Sequence, residues 1–109
     1  MTQEQIDALK SKHGDKLKVI PIPATDFDVA CEIVIKRPPR GEYKRFRAML
    51  FDDAQKADAL ETLAKSCVVY PDATEFQKML EERPALAETV GGKAAEFAGA
   101  EGKVDAKKL

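Results

Sequence analysis

The feature that most constrains the fold is the alternation of apolar and polar residues over positions 27–36, FDVACEIVIK. Successive side chains of a β-strand point to opposite faces of the sheet. One face is therefore predicted to carry the apolar set Phe27, Val29, Cys31, Ile33 and Ile35. The other face is predicted to carry Asp28, Ala30, Glu32, Val34 and Lys36. A chain with this strand needs further elements to cover the apolar face.

A second, shorter alternation precedes it over residues 16–22. Pro21 and Pro23 favour an edge strand that ends early, because proline cannot donate a ladder hydrogen bond. Residues 24–26, Ala-Thr-Asp, are typical of a turn, so the two strands are predicted to pair as an antiparallel hairpin. A lone hairpin is only marginally stable, so other elements must pack on it.

Helices are predicted on both sides of the hairpin. Thr2 and Gln5 have capping-box spacing, which predicts a short helix over residues 2–12 that ends at Gly14. After the hairpin, residues 40–51 are predicted to form a helix whose apolar face carries Tyr43, Phe46, Met49 and Leu50. Asp52 and Asp53 resemble an N-cap for a helix over residues 53–69. Its predicted apolar stripe is Ala57, Leu60, Ala64, Cys67 and Val68.

Two prolines divide the remainder of the chain. Pro71 is predicted to end the preceding helix, and Asp72 or Thr74 to cap a helix that carries Phe76, Met79 and Leu80. Pro84 begins a last helix with an apolar face of Leu86, Val90, Ala94 and Phe97. The pair Gly91-Gly92 costs about 1 kcal/mol per glycine relative to alanine, which favours a kink or a split there.

Together these elements predict an α+β fold. It consists of a short N-terminal helix, a two-stranded antiparallel β-hairpin and a cluster of about four short α-helices. Residues 1–98 are predicted to form a single domain, and residues 99–109, which have no periodicity, a flexible C-terminal tail.

The composition and the lack of a catalytic or metal-binding motif favour a non-enzymatic protein without a cofactor or a membrane span. The 18 basic residues nearly balance 19 acidic ones, so the charge does not favour nucleic acid or anionic lipid. No apolar run reaches the ~20 residues that span a bilayer, and a cytoplasmic protein is expected. Cys31, Cys67 and His13 fall short of the four ligands of a structural zinc site. Cys67 lies near a predicted helix C-terminus, where the macrodipole disfavours a thiolate, so a buried core residue is preferred to a nucleophile.

One local charge bias occurs in residues 36–47, where Arg40, Lys44 and Arg47 fall on one helical face. Such a face would contact phosphates or an acidic partner segment. A solvated helix face, whose long stems cover apolar surface, accounts for it without a partner. Because the overall charge is balanced, we prefer the solvated face and expect no nucleic-acid partner.

Three strings of residues resemble the small tail assembly chaperones of tailed bacteriophages and prophages. They are KRPPRGEYKRF after the alternating strand, LAKSCVVYPD, and EERPALAETVGGK, and the resemblance extends over residues 2–98. It implies a non-enzymatic, cytoplasmic protein of the infected bacterial cell. Such a protein binds the phage tape measure protein and assists its assembly with tail tube subunits.

The predicted mode of action is the shielding of amphipathic client segments in a groove between helices. The candidate partner-binding residues are Arg40, Lys44, Arg47, Phe76, Met79 and Phe97. Weak self-association is expected if one helix face stays uncovered. Two alternatives stay open, a minor structural tail or neck component of the virion and a small nucleic-acid-binding regulator that uses residues 36–47.

Overall fold

The computed structural model describes residues 2–26 and 28–99. The predicted α+β architecture is confirmed. In chain order the elements are α1 (Gln3–His13), β1 (Leu17–Ile22), β2 (Cys31–Lys36), α2 (Arg40–Leu50), a 3-10 turn (Lys56–Asp58), α3 (Ala59–Cys67), β3 (Val68–Tyr70), α4 (Ala73–Glu82) and α5 (Leu86–Phe97). Of the predicted tail, residues 100–109 lie outside the described residues. Within the described ranges, no helix is long and apolar enough to cross a membrane.

The first helix begins and ends as its cap residues predict. Thr2 Oγ1 accepts a hydrogen bond from the Gln5 amide at 3.2 Å. In return, the Thr2 amide donates to Gln5 Oε1 at 3.0 Å, which completes the capping box. The helix ends at Gly14, whose φ of 94° is readily adopted only by a residue without a Cβ.

The three strands form one antiparallel sheet in the order β1-β2-β3, with β2 in the centre. The predicted hairpin is therefore confirmed, and β1 is an edge strand as its prolines indicate. Ile20 and Ile22 of β1 and Ile33 and Ile35 of β2 are buried in the core. Val34, which alternation assigns to the polar face, is also buried, at 1% exposure. Its cross-strand neighbours on that face are Val19 and Tyr70, which flank it from either side.

The predicted start of the central strand is wrong. Pairing begins at Cys31 rather than residue 27, and Val29 is 82% exposed instead of facing the core. Asp28 is held in a turn, because its amide donates to Thr25 Oγ1 at 2.9 Å and its carboxylate lies 3.8 Å from Arg83 Nε. These contacts draw the segment away from the sheet. Phe27, which we assigned to the apolar face, lies outside the described residues.

The predicted start of the helix over residues 53–69 is also wrong. Asp52 does not cap a helix but closes an Asx turn, accepting from the Ala54 amide and from Gln55 Nε2, both at 2.9 Å. The chain then passes through the 3-10 turn before α3 begins at Ala59. Ala57 is exposed, whereas Ala59 and Leu63, absent from the predicted stripe, are buried. The buried face shares Ala64 and Cys67 with the predicted stripe, whereas Ala57 is not part of it because it lies in the 3-10 turn before α3.

Residues 68–70 form a strand rather than the end of that helix. Val34 pairs with Tyr70, and Ile35 with Val68, across a register irregularity in β2. Two valines and a tyrosine suit a pleated surface, and the residue before Pro71 is disfavoured in the α region. The edge of β2 that β1 leaves unpaired provides the hydrogen-bonding partner for this strand. The next helix is capped as predicted by Asp72, whose Oδ1 accepts from the Glu75 amide at 2.8 Å.

The glycine pair does not divide the last helix, so the split that we considered there is wrong. α5 is continuous from Leu86 to Phe97. A Cβ built on Gly91 would overlap the carbonyl oxygen of Leu60 and lie 2.9 Å from the Leu60 carbonyl carbon and Cβ. Gly91 is therefore the point at which α5 and α3 approach closely. Gly92 has no neighbouring atom within 4 Å of such a Cβ.

Candidate partner-binding groove

The basic residues predicted from sequence lie on the surface of α2. Arg40, Lys44 and Arg47 are all exposed. Within the described part of the chain, none of the three side chains forms an ion pair or a hydrogen bond. Their charges are therefore available to solvent or to a partner, but they do not border the groove described below.

The three apolar candidates are separated from one another. Phe76 is 2% exposed and belongs to the core, so in this fold it is not available for contact with a partner, contrary to our prediction. Met79 is half-buried against the core. Phe97 is also half-buried, and its carbonyl oxygen accepts a hydrogen bond from Arg37 Nε at 2.8 Å. The Lys18 ammonium and the Arg37 guanidinium lie 5.8 and 5.6 Å from its ring centroid.

The two cysteines differ in their surroundings. Cys67 is fully buried, and burial raises the pKa of its thiol above the ordinary value, although a hydrogen bond with Ser66 opposes the shift. Its Sγ lies 3.6 Å from Ser66 Oγ. Cys31 is only half-buried. A protonated, covered thiol is a poor nucleophile, so Cys67 has the properties of a core residue.

We expect iodoacetamide to modify Cys31 in the native protein at least about tenfold faster than Cys67. A covered thiol reacts only after local opening, and an opening free energy of about 1.4 kcal/mol already slows it tenfold. Peptide mass spectrometry after timed quenching measures both rates. In urea the two rates should converge, and equal rates in the native state would contradict the buried position of Cys67.

A surface concavity lies where α2, α3 and α5 meet. Its volume is about 650 Å³. The lining residues come from the end of α2, the connection to α3, the first turn of α3, the α4–α5 connection and the start of α5: Leu50, Asp53, Lys56, Ala57, Asp58, Leu60, Glu61, Pro84, Ala87 and Glu88. We call this concavity the α2–α3–α5 groove. Its volume is within the range of about 300–1,000 Å³ that is usual for ligand sites.

Local sequence chemistry shapes the groove. The Asx turn at Asp52 separates the end of α2 from the start of α3 and leaves an open corner between them. Gly91 allows α5 to lie directly against the α3 backbone, which brings Ala87 and Glu88 beside Leu60 and Glu61. Apolar side chains of Leu50, Ala57, Leu60, Pro84 and Ala87 contribute to its lining.

The charged residues of the groove are mostly acidic. Asp53, Asp58, Glu61 and Glu88 contribute carboxylates, and Lys56 contributes the single amine. Glu61 Oε2 lies 3.6 Å from Lys65 Nζ, an exposed i,i+4 pair of small energetic weight. The N-termini of α3 and α5 each add about half a positive charge. The four carboxylates exceed these contributions, so the groove is negative on balance.

A large exposed aromatic residue adjoins the groove in sequence. Phe51 is 83% exposed, and it directly follows Leu50, which lines the groove and is itself 38% exposed. Sequence reasoning placed Leu50 on the buried face of α2 and overlooked Phe51. Phe51 lies between the end of a predicted helix and the Asp52-Asp53 pair, outside any predicted apolar stripe. That position could have indicated that its ring is exposed.

Comparison with known proteins places the chain in a family. Residues 9–107 match the family described as Domain of unknown function (DUF6848). This chain therefore belongs to the DUF6848 family. The solved structure of the uncharacterised protein rbstp2171 from Bacillus stearothermophilus is similar to the DUF6848 chain, with a TM-score of 0.75 and 26% sequence identity. The match covers 93% of this chain and 98% of that one. No curated protein matches the DUF6848 chain.

Proposed function

We propose that this DUF6848 protein is a non-enzymatic tail assembly chaperone of a tailed phage or prophage, acting in the bacterial cytoplasm without a cofactor. Its client is the tape measure protein, which it holds for assembly with tail tube subunits. The observation that carries the proposal is the α2–α3–α5 groove, which is open to solvent and has apolar side chains from three helices. The sequence strings described above supply the choice of client.

The mechanism that we propose is reversible shielding. A long tape measure protein exposes amphipathic helical segments before the tube encloses it, and such segments aggregate when their apolar faces meet. A helix placed over Leu50, Leu60 and Ala87 would have its apolar face removed from water. Phe51 directly follows the lining residue Leu50, and its exposed ring is of the aromatic kind enriched at interface centres, so we assign it to the same binding surface.

Co-expression tests the proposal. We expect the tape measure protein encoded beside this chain to become mostly soluble, and to co-purify with it, when both are expressed together. Phe51→Ala should reduce the recovered complex about fivefold or more, because it removes an aromatic anchor. Val29→Ala is the matched control, since Val29 is exposed to the same degree but lies in the β1–β2 connection.

Two outcomes would contradict the proposal. One is a tape measure protein that stays insoluble, with no complex recovered, while the chaperone itself is folded and abundant. The other is the presence of this chain in purified phage particles at the stoichiometry of a structural subunit, which mass spectrometry would detect. Gene order supplies an independent check, because the proposal expects the gene between those of the tail tube and the tape measure protein.

A further inference from the structure

We propose that the α2–α3–α5 groove selects a basic amphipathic helix, with its apolar face on the groove and its lysines or arginines opposite the acidic residues. This inference rests on the proposed function, and it specifies the chemistry of the client segment. It differs from the sequence-based prediction, in which a basic face of this protein bordered the binding site. The groove has the opposite charge.

The arrangement of charge and apolar surface carries the inference. Asp53 and Asp58 lie on the α2–α3 connection, and Glu88 lies in the first turn of α5. Leu50, Leu60 and Ala87 contribute apolar surface to the same groove. A helix of about 10 Å diameter presents an apolar stripe flanked by longer polar side chains. Lysine and arginine stems extend over apolar surface while their charged ends reach outward, which suits carboxylates at such a site.

Electrostatic complementarity favours this occupant over an acidic or neutral helix. Carboxylates opposite like charges cost several kcal/mol of binding free energy, whereas opposite charges speed association and fix the register. The basic face of α2 is elsewhere, since Arg40, Lys44 and Arg47 do not line the groove, and Lys56 is the single amine among its lining residues. A second copy bound through those residues would bring charge to the groove but no apolar stripe along the helix, because Phe46 and Met49 of α2 are buried and only Leu50 and Phe51, at its end, are exposed large apolar residues there.

A synthetic peptide tests the inference on the intact protein. The probe is a fluorescein-labelled amphipathic helix of leucine and lysine, about 18 residues or roughly five turns long. A matched peptide with glutamate in place of every lysine is the negative control. We expect the lysine peptide to bind at least about tenfold more tightly, as measured by fluorescence anisotropy. Its affinity should fall with added salt, because the Debye length shrinks from about 10 Å at 0.1 M to about 3 Å at 1 M.

Charge-reversal variants separate the groove from general attraction. Asp53→Lys with Glu88→Lys should weaken the lysine peptide about tenfold or more and reduce its salt dependence. Glu4→Lys with Glu81→Lys changes the net charge equally, outside the groove, and also removes one first-turn helix carboxylate. This control should leave affinity nearly unchanged. Circular dichroism verifies that both pairs of variants are folded.

The outcomes distinguish this inference from the proposed function. The basic-helix assignment would be overturned if both double variants bound the lysine peptide equally weakly. It would also be overturned if the unaltered protein bound the two peptides with equal affinity. A self-associated protein, measured by light scattering, whose contacts block the groove and exclude the peptide would overturn it as well. If the lysine peptide binds as expected but the tape measure protein is not captured, the proposed function fails while the groove assignment stands. Client capture that is indifferent to Asp53 and Glu88 leaves the proposed function standing and refutes the assignment.

Discussion

Gly91→Ala is expected to lower the free energy of unfolding by about 1–3 kcal/mol, the usual cost of overpacking. Its new methyl group would overlap the carbonyl oxygen of Leu60 and approach the Leu60 carbonyl carbon and Cβ to 2.9 Å. Two of these three atoms are backbone atoms, so relief requires α3 and α5 to move apart. Ala64 and Val90 are fully buried on the same two helices, and separation would loosen their packing.

Gly92→Ala is the matched control because it makes the same change one residue later. Nothing lies within 4 Å of a Cβ at Gly92, and alanine favours the helix over glycine by about 0.8–1.0 kcal/mol. We therefore expect this variant to be more stable than the parent. Urea unfolding followed by circular dichroism gives both values. If the two substitutions stabilise the protein equally, α3 and α5 do not approach at Gly91 as described.

The second large effect is expected for Phe76→Ala, which should destabilise the protein by about 3–5 kcal/mol. Phe76 is among the largest fully buried side chains, and the cavity left by the ring adds to the lost transfer free energy. A domain of this size is stable by only about 5–15 kcal/mol, so the variant should unfold at much lower urea concentration.

Phe51→Ala makes the same chemical change on the surface. Phe51 is 83% exposed, so its truncation should alter the free energy of unfolding by no more than about 0.5 kcal/mol. The two substitutions should therefore separate stability from the proposed client binding, because Phe76→Ala is expected to lower the first and Phe51→Ala the second. A Phe76→Ala protein of unchanged stability that fails to capture the client would return Phe76 to the list of contact residues.

The two phenylalanines also show why the site was harder to predict than the fold. Phe76 lies between two polar residues, and Phe51 lies between Leu50 and Asp52. Neither pair of neighbours decides whether the ring is buried or exposed. Helical spacing selected Phe76 as part of an apolar face, which it is, but spacing does not reveal whether another element covers that face. Here the core covers it. The groove likewise brings together residues 50–61 and 84–88, whose proximity depends on how α3 packs on α5.

Local chemistry accounts for the predictions that were confirmed. The capping box at Thr2 and the N-cap at Asp72 each join atoms three residues apart, so the sequence alone specifies them. The edge position of β1 follows from its prolines, and the hairpin from two alternating segments. These features establish the order and type of most elements, and hence the α+β class.

Contacts between segments that are distant in sequence decided the features that local patterns did not predict. Val68–Tyr70 became a strand because β2 offers a free edge more than thirty residues earlier in the chain. Val34 is buried because Val19 and Tyr70 flank it, and Gly91 is needed because Leu60 lies against it. Alternation, caps and prolines act within a few residues of backbone, whereas the covering of a side chain and the shape of a groove depend on which segments meet in space. The sequence pattern therefore predicts the elements, and their packing creates the acidic, apolar-lined groove.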